Sequence, residues 1–461
     1  MAGSDATTPG RAHGQTRTDT TVVHGGREDL RELGVHAPPL DRSTTYPIRS
    51  LAEGTADLEL LGEGGAAPQH TPVYARLYNP TVARWERGIA ALEHADAAVA
   101  FASGMAAITA TLLAAGALGR HVVALRPLYG GTDHLLASGL LGTRTTWATP
   151  DTVAASIEDD TALVIVETPG NPTLTLVDIP AIVAQAGAVP VLVDNTFATP
   201  ILQRPLELGA TWALHSATKA LGGHGDVIAG VVATDEAHAR ALRQVRVATG
   251  ALLDPQAAAL LHRSLQTLAL RVRAAQANAI ELARRLALHP GVERVCHPSL
   301  PGCDPDGIVA TQMDGPGSML TFEVAGGYDA AGRVLEAVRL LTPAVSLGSA
   351  DSLIEHPAGL THRVVDPEAL AATGITPGLL RVSVGIEDVE DLWADLDQAI
   401  AAATGRRIRD AVAGTEVARC PGGADDGHAP ATGRAEATVH VEPTDDAQVP
   451  ADGLAPVGSR G

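Results

Sequence analysis

The middle of the chain alternates short apolar runs with longer stretches rich in Ala and Leu. The clearest runs are 97–101 (AAVAF), 121–125 (HVVAL), 162–167 (ALVIVE), 190–195 (PVLVDN) and 226–233 (DVIAGVVA). Strands that are apolar throughout, rather than at every second position, are typical of a parallel sheet buried on both faces. The Ala- and Leu-rich stretches between them fit helices. The pattern predicts an α/β fold with a mostly parallel sheet covered by helices.

A change of pattern follows residue 255. One long helical pattern extends to about residue 288, and the later runs SMLTFEV and LLRVSVG are separated by further helical stretches. This predicts a smaller C-terminal α+β domain. From residue 421 onward the chain carries seven acidic residues against two Arg and is rich in Gly and Pro, which is typical of disorder. The predicted organisation is an N-terminal arm over 1–70 with its first 20 or so residues disordered, a large domain over 71–265, a small domain over 266–404 and an acidic, disordered tail over 405–461.

Composition and charge narrow the functional classes. A chain of 461 residues exceeds what one hydrophobic core normally supports, so at least two domains are expected. The formal charge of -20 repels polyanions and predicts no nucleic-acid partner. Three cysteines show neither a disulfide framework nor zinc-type spacing, so we expect no metal site and a cytoplasmic location.

No membrane segment is predicted either. The first residues lack the apolar region of a secretory signal. The uncharged span 97–119 is long enough to cross a bilayer, but Ser, Gly and Thr interrupt it. A buried strand that runs into a helix explains this span better.

The chain contains a single lysine, Lys219, among 33 basic residues. Arginine stays protonated in proteins, whereas a desolvated lysine can lose its proton and attack a carbonyl. Lys219 is therefore a candidate for a covalent bond to a carbonyl compound, and chance survival of one surface lysine is the alternative. Ser216 and Thr218 flank it with hydroxyls that suit a phosphate, although a Ser/Thr turn at a strand end is also common.

Three other positions are candidates for the same site. Asp194 ends an apolar run, where open α/β sheets bind ligands, and a buried carboxylate there requires a cationic partner or else caps the next element. Gly104 and Met105 begin a helix whose free amides would bind an anion, or Ser103 simply caps it. Tyr129, followed by two glycines, would stack on a flat ligand or pack in the core.

Two arginines complete the set of candidates. Arg76 follows Tyr74 on an extended segment before the first domain, where it could bind phosphate or carboxylate for a neighbouring subunit. Arg381 lies within the apolar run LLRVSVG. A buried cation requires an anion, and the carboxylate of an amino acid would serve.

Taken in order along the chain, these strings resemble the Cys/Met metabolism family of fold-type-I pyridoxal phosphate (PLP) enzymes, from about residue 20 to 403. The family includes cystathionine γ-synthase, cystathionine γ-lyase, methionine γ-lyase and O-acetylhomoserine sulfhydrylase. The matching motifs are YARLYNPT (74–81), AFASGMAAI (100–108), LYGGT (128–132), ETPGNPTL (167–174), DNTFATP (194–200), HSATKALGGHGDV (215–227), EHPAGLTH (355–362) and RVSVGIED (381–388).

The resemblance implies a role for each candidate. Lys219 would hold PLP covalently, Asp194 would pair with its pyridinium nitrogen and Tyr129 would stack on its ring. The phosphate would be bound by Gly104, Met105, Ser216 and Thr218, with Tyr74 and Arg76 from the adjacent subunit of a tetramer built from active dimers. The substrate carboxylate would be bound by Arg381, Ser346 and Asn171.

The reaction implied by the resemblance is γ-elimination on a sulfur amino acid, which gives 2-oxobutanoate, ammonia and a thiol. The alternative is γ-replacement on an activated homoserine. Two positions depart from common family patterns: Gly131 stands where methionine γ-lyases usually carry Cys, and Ser349 gives SLGS where many relatives read SLGG. A non-catalytic regulator would be expected to lose the amine or the carboxylate. A nicotinamide oxidoreductase would need GxGxxG after its first strand, and none follows 97–101 or 121–125.

Overall fold

The computed structural model describes residues 16–363 and 374–407. The predicted disordered residues before 16 and the predicted acidic tail beyond 407 lie outside the described residues. The helices are α1 (Thr18–His24), α2 (Leu51–Gly62), α3 (Pro80–Glu93), α4 (Gly104–Ala114), α5 (Gly130–Ala137), α6 (Val153–Ser156), α7 (Ile179–Ala186), α8 (Thr199–Leu202), α9 (Glu236–Thr249), α10 (Pro255–Leu265), α11 (Leu268–Leu286), α12 (Ile308–Gln312), α13 (Gly327–Ala337) and α14 (Val389–Thr404). The strands are β1 (Ala97–Phe101), β2 (His121–Leu125), β3 (Arg144–Ala148), β4 (Thr161–Glu167), β5 (Val191–Asp194), β6 (Trp212–Ser216), β7 (Gly230–Thr234), β8 (Val292–Cys296), β9 (Met319–Val324), β10 (Thr342–Pro343), β11 (Leu353–Glu355) and β12 (Leu379–Ser383).

The larger sheet has seven strands in the order β1-β7-β6-β5-β4-β2-β3. Its pairs are parallel from β6 to β3, and β7 is antiparallel to both of its neighbours. Alternate residues of a strand face opposite sides of the sheet. Ala98 of β1 belongs to the apolar cluster that contains Trp85 of α3, and Val99 to the cluster that contains Ile108 of α4. The predicted mostly parallel sheet with helices on both faces is thereby confirmed.

One predicted strand begins later than its apolar run. The run 226–233 gives a strand only from Gly230 onward. Before it, the backbone of Ala229 is bound by Thr218: Ala229 N donates to Thr218 Oγ1 at 3.0 Å, and Ala229 O accepts from Thr218 N at 3.2 Å. These bonds tie the run to the turn that carries Lys219, so the first residues of the run serve the loop and not the sheet.

The long helical pattern of 255–288 is divided into α10 and α11. The break lies at Gln266 and Thr267, because Ser264 O accepts from Thr267 N at 3.2 Å, in a turn tighter than an α-helix. Arg271 Nη2 donates to the same carbonyl at 2.9 Å and stabilises the break. The expected boundary between a large and a small domain falls at this break, and the division itself stays a prediction.

The smaller sheet has five strands in the order β10-β11-β12-β9-β8, with β10 and β11 parallel and the other pairs antiparallel. Phe322 and Leu380 of this sheet pack with Leu282 of α11 and Leu396 of α14 in one apolar cluster. Strands and helices thus alternate here as the sequence predicts.

The predicted extended arm contains two helices, α1 and α2. Ser50 begins α2 because its side chain accepts a hydrogen bond from Glu53 N at 3.2 Å, which satisfies a free amide of the first turn. The residues between and after these helices are mostly extended or turns. Across residues 16–363 and 374–407, no helix is both long enough and apolar enough to cross a membrane.

Candidate active site

A cavity of about 280 Å³ opens at the carboxyl ends of three neighbouring strands of the larger sheet. Glu167 ends β4, Asp194 ends β5 and Ser216 ends β6, and all three line the cavity. This is the edge at which parallel sheets bind ligands. The cavity brings together ten of the residues singled out from the sequence: Gly104, Met105, Tyr129, Asn171, Asp194, Ser216, Thr218, Lys219, Ser346 and Arg381.

Lys219 occupies the turn after β6. Its Nζ donates a hydrogen bond to Ser346 Oγ at 2.7 Å. Burial, followed by repulsion from the Arg381 guanidinium, lowers the pKa of Lys219 to about 8, against the attraction of Glu355 and Asp194. An amine with this pKa can act as a nucleophile or a base near neutral pH.

Ser346 connects the lysine to the guanidinium. Its φ of 87° is rare for a residue with a side chain, and backbone strain of this kind costs about 1–3 kcal/mol. The conformation presents Ser346 Oγ to Lys219 while Ser346 O accepts from Arg381 Nη2 at 2.8 Å. The strained residue therefore positions two of the charged groups of the site.

Asp194 lines the cavity. Its Oδ1 accepts from both N and Oγ1 of Thr196, at 3.0 and 2.5 Å. Thr196 Oγ1 accepts in turn from Ser216 N at 2.9 Å, so the ends of β5 and β6 are joined. Burial raises the pKa of Asp194 above its ordinary value, while the Thr196 hydrogen bonds and the charges of His215 and Lys219 oppose that rise. A cation beside the carboxylate would stabilise its ionised form.

Glu167 is a further acidic residue of the site, to which the sequence analysis gave no role. Its Oε2 accepts from Tyr129 N at 2.6 Å and its Oε1 from Asn171 N at 2.9 Å. Burial, and then repulsion by Asp194, raise the pKa of Glu167 well above its ordinary value. Glu167 thereby fixes the backbones of two candidate ligand-binding residues. The sequence does contain a signal for Glu167: like Asp194, it is a single acidic residue at the end of an apolar run.

The beginning of α4 supplies a place for an anion. Ser103 caps the helix by accepting from Ala106 N at 3.1 Å, and Gly104 is the first helical residue. A Cβ on Gly104 would lie 3.0 Å from Ser216 Cβ, so glycine allows the helix end and the end of β6 to approach closely. The free amides of this end and the hydroxyl of Ser216 together suit a phosphate.

Tyr129 precedes α5 and lines the cavity, and the residue is 42% exposed. A Cβ on Gly131 would lie 2.6 Å from Tyr129 Cε1 and 3.0 Å from Met105 Sδ. The ring therefore occupies the space that a side chain at residue 131 would need. Tyr129 also lines the cavity, where its ring is placed to contact a flat ligand.

Arg381, on β12, is 2% exposed. Its Nη1 donates to Asn171 Oδ1 at 2.8 Å and lies 2.7 Å from Glu355 Oε1. Burial lowers the pKa of Arg381, and Glu355 and Glu167 oppose that shift. Arg381 Nε is sealed from solvent and has no partner among the described residues. The residue lines the cavity, so its guanidinium is the candidate cation for a substrate carboxylate. Glu355 was another site residue without a sequence-derived role.

Tyr74 and Arg76 lie apart from this set. Neither lines the cavity of its own chain. Arg76 Nη1 donates to Val247 O at 3.0 Å, and its guanidinium lies 5.5 Å from the ring centre of Tyr74, which is 44% exposed. Their predicted role thus depends on a second subunit.

The chain belongs to the family described as Cys/Met metabolism PLP-dependent enzyme, whose sequence model matches residues 19–401. A protein named L-methionine gamma-lyase from Brevibacterium sandarakinum is 56% identical over 384 residues, which cover 83% of this chain and 97% of the relative. Another with this name, from Streptomyces avermitilis, is 54% identical over 87% of this chain and 92% of the relative.

Solved structures of cystathionine gamma-lyases are also similar to this chain. The cystathionine gamma-lyase of Lactobacillus plantarum, complexed with L-serine, superposes with a TM-score of 0.78 at 36% identity, over 85% of this chain and 100% of that one. The cystathionine gamma-lyase of Micromonospora echinospora superposes with a TM-score of 0.76 at 40% identity, over 84% of this chain and 99% of that one. The predicted family, fold-type-I fold class and PLP cofactor are confirmed. The predicted activity is also confirmed: the protein is a PLP-dependent carbon-sulfur lyase that acts by γ-elimination on a sulfur amino acid. The alternative, γ-replacement, is not favoured.

The residues of the cavity fit PLP by their chemistry. Lys219 supplies an amine whose pKa is lowered to about 8, and Asp194 a carboxylate whose ionised form a cation would stabilise. The α4 amides and Ser216 suit the phosphate, and the ring of Tyr129 suits the pyridine. One cavity thus holds candidate partners for the carbonyl, the ring nitrogen, the ring face and the phosphate of the cofactor.

Proposed function

We propose that this enzyme converts L-methionine and water to 2-oxobutanoate, ammonia and methanethiol. The proposal is supported by the relatives named L-methionine gamma-lyase, which are 54–56% identical over more than four fifths of the chain. It is also supported by the apolar residues Phe197, Val345 and Leu347, which line the cavity together with the polar groups. Apolar contacts of this kind suit a thioether side chain.

The observation that carries the proposal is the pair of Lys219 and Arg381 on one cavity. Arg381 is a buried cation that lines the cavity, and its guanidinium would bind the substrate carboxylate. Lys219 Nζ reaches Ser346 Oγ, whose own carbonyl is bound by Arg381. A substrate anchored at Arg381 would therefore present its Cα near Lys219 Nζ.

Lys219 would move the protons of the reaction. PLP supplies an electron sink for the charge that develops at the substrate carbons. Neutral Lys219 Nζ would accept the proton from Cα, and the resulting ammonium would be held by its hydrogen bond to Ser346. After passing that proton back to the conjugated substrate, Nζ would be neutral again and would accept the second proton from Cβ as the γ-thiolate departs. The thiolate would take up a proton to leave as methanethiol. The pKa of about 8 gives a useful neutral fraction near pH 7 without losing basicity.

Other residues would bind the cofactor without moving protons at the substrate. Asp194 Oδ atoms would accept from the protonated ring nitrogen, and Tyr129 would lie against the ring. Ser216, Thr218 and the α4 amides would donate to the phosphate. These contacts fix the cofactor against the substrate site formed by Arg381.

The test is product analysis. The purified protein would be incubated separately with methionine, cystathionine, homocysteine and O-acetylhomoserine, each with and without an added thiol. We expect 2-oxobutanoate and methanethiol from methionine, independent of added thiol. A thioether product formed only from O-acetylhomoserine plus thiol would contradict the proposal in favour of γ-replacement. Lys219→Arg, which retains the charge but not a titratable amine, is the matched control and should be inactive.

The oligomer and the location are also proposals. A homotetramer made of two active dimers would bring Tyr74 and Arg76 of one subunit to the phosphate of the next. The exposure of Tyr74 and the position of both residues outside their own cavity support this arrangement. The small number of cysteines in the sequence, three in all, supports a cytoplasmic location.

A further inference from the structure

A layer of buried polar side chains lies directly behind the active site. Each of the three site-bearing strand ends contributes one: Thr168 follows Glu167, Asn195 follows Asp194, and His215 precedes Ser216. All three layer residues are 0% exposed. Because neighbours along a strand point to opposite faces, these residues lie on the side of the sheet away from the cavity.

The centre of the layer is Glu93, the last residue of α3, which is also 0% exposed. His215 Nε2 donates to Glu93 Oε1 at 2.5 Å, and Asn195 Nδ2 approaches the same oxygen at 3.3 Å. One carboxylate of α3 thus contacts the residue beside Asp194 and the residue beside Ser216.

The layer continues to β4 through an amide. Gln203 Nε2 donates to Asn195 Oδ1 and to Thr168 O, each at 2.9 Å, and Asn195 Nδ2 donates to Gln203 O at 2.8 Å. Gln312 Nε2 donates to Gln203 Oε1 at 2.9 Å. The ends of β4, β5 and β6 are therefore linked by side chains as well as by the backbone ladder.

A role in folding alone does not explain the buried Glu93–His215 pair. Glu93 shares its helix with Trp85, Ile89 and Leu92, which are buried in an apolar cluster. Replacing a buried ion pair by well-packed apolar residues is often neutral or stabilising. Glu93 Oε2 and His215 Nδ1 moreover have no hydrogen-bond partner among the described residues, and such buried atoms destabilise a fold.

The electrostatic environment of Asp194 indicates a functional reason for the Glu93–His215 pair. Burial raises the pKa of Asp194, and the charge on His215 is among the influences that lower it. Lys219, another such influence, lies on the cavity side, where it is needed for other chemistry. His215 lies behind the sheet, so an influence of its ring on the Asp194 carboxylate acts without occupying the cavity.

We propose that Glu93 and His215 are positioning residues for Asp194: Glu93 orients His215, and the pair holds the end of β5 so that the Asp194 carboxylate meets the ring nitrogen of PLP in its ionised form. This rests on the cofactor role proposed for Asp194. Neither Glu93 nor His215 lines the cavity, so both act through Asp194 and Asn195 and not on the substrate.

The test compares Glu93→Gln and His215→Gln with a matched control, His121→Gln. His121 is also a buried histidine of the larger sheet, 1% exposed, but it is the first residue of β2, at the opposite end of the strands, and bonds Thr161 and Thr146. The first readout uses the protein with PLP alone: the dissociation constant of the cofactor and the pH titration of its visible absorption. The second is kcat and KM for methionine.

We expect both layer variants to shift the visible titration and to weaken cofactor binding several-fold. We expect kcat to fall roughly tenfold with little change in KM, a size usual for residues that support a site group from behind. His121→Gln should change none of these, even where it lowers the free energy of unfolding. Glutamine is nearly isosteric with glutamate, so Glu93→Gln should fold and can still be measured if His215→Gln does not fold.

A double-mutant cycle separates positioning from mere structure. In an Asp194→Asn background, Glu93→Gln should have no further effect on the absorption or on kcat, because its route of action is gone. Independent, multiplicative effects would overturn the proposal, as would layer variants that lose stability while keeping the wild-type spectrum and cofactor affinity. If methionine proves not to be the substrate, the substrate-free spectra still decide this proposal, so the two failures can be told apart.

Discussion

At the scale of single residues, Lys219 gives the most direct prediction. Only the neutral amine can attack the PLP carbonyl, and burial together with Arg381 lowers its pKa to about 8. A lowered lysine pKa means that the neutral form accumulates as pH rises through 8 and not through 10.5. When cofactor-free protein is mixed with PLP, the rate of covalent attachment, followed by visible absorption, should rise up to about pH 8 and then level off.

The control for this experiment is Lys219→Arg, which cannot be deprotonated and should give no attachment. Mass spectrometry after borohydride reduction should locate the pyridoxyl group on Lys219 in the wild type. A rate that continues to rise toward pH 10 would show that the site does not lower the lysine pKa.

Gly131 gives a second prediction. Gly131→Ala would place a Cβ 2.6 Å from Tyr129 Cε1, so the ring must move away from its present position. We expect weaker PLP binding and a lower kcat, although alanine favours a helix over glycine by about 0.5–1 kcal/mol. Gly332→Ala in α13 is the matched control, since a Cβ there has no neighbour within 4 Å. Unchanged cofactor affinity in Gly131→Ala would show that the Tyr129 ring is not fixed by this packing.

The sequence predicted residues whose chemistry is unusual in its local setting. Lys219 stood out as a single lysine, and Asp194 as an acid after an apolar run; both line the cavity. Thr196 and Glu355 carry no such signal, because their importance arises from hydrogen bonds to Asp194 and to Arg381 that form only in the folded chain. Glu167 had the same signal as Asp194 and could have been found.

At the scale of elements, the cap of α4 gives a third prediction. Ser103→Ala removes the hydrogen bond to Ala106 N and should cost about 1 kcal/mol of unfolding free energy. Because the same helix end faces the cavity, PLP affinity should fall as well. Ser50→Ala, which removes the equivalent cap of α2, should lower stability to a similar degree without affecting the cofactor. Equal cofactor affinities in the two variants would contradict a phosphate site at α4.

The elements that the sequence predicted well are the buried strands, whose apolar runs coincide with β1, β2, β4 and β5 within a residue or two. The two elements that the sequence predicted wrongly are altered by contacts that form only in the folded chain. The pattern of 255–288 is helical throughout, and only the hydrogen bonds to Ser264 O divide it. The run 226–233 is apolar throughout, and only its bonds to Thr218 delay the strand. The pattern of apolar residues along the chain cannot predict these hydrogen bonds.

At the scale of the whole molecule, the substrate site joins the two sheets. Arg381 on β12 of the smaller sheet donates to Asn171, which follows β4 of the larger one and lies 210 residues earlier in the chain. Gly348 permits a similar contact: with φ of +77°, it approaches so closely that a Cβ there would lie 2.4 Å from Ala220 N, beside Lys219. Local sequence patterns cannot establish such distant pairs, and only the resemblance to a known family suggested the first.

The last prediction concerns the assembly. Arg76 donates to Val247 O and lies outside its own cavity, as does Tyr74, although the family resemblance assigns both to the cofactor phosphate. If they act on the neighbouring subunit, two inactive variants should complement each other. Arg76→Ala and Lys219→Ala would be mixed after dissociation and allowed to reassociate. Each hybrid dimer would contain one site with both groups intact and one site with neither.

Random pairing makes half of the dimers hybrid, so about a quarter of all sites should regain wild-type activity, in line with the statistics of a shared C2 site. Each variant reassociated alone is the control and should stay inactive. Hybrid formation would be verified by mass spectrometry with one partner isotopically labelled. If hybrids form and activity does not return, Arg76 acts within its own chain, and the bond to Val247 must then break when PLP binds.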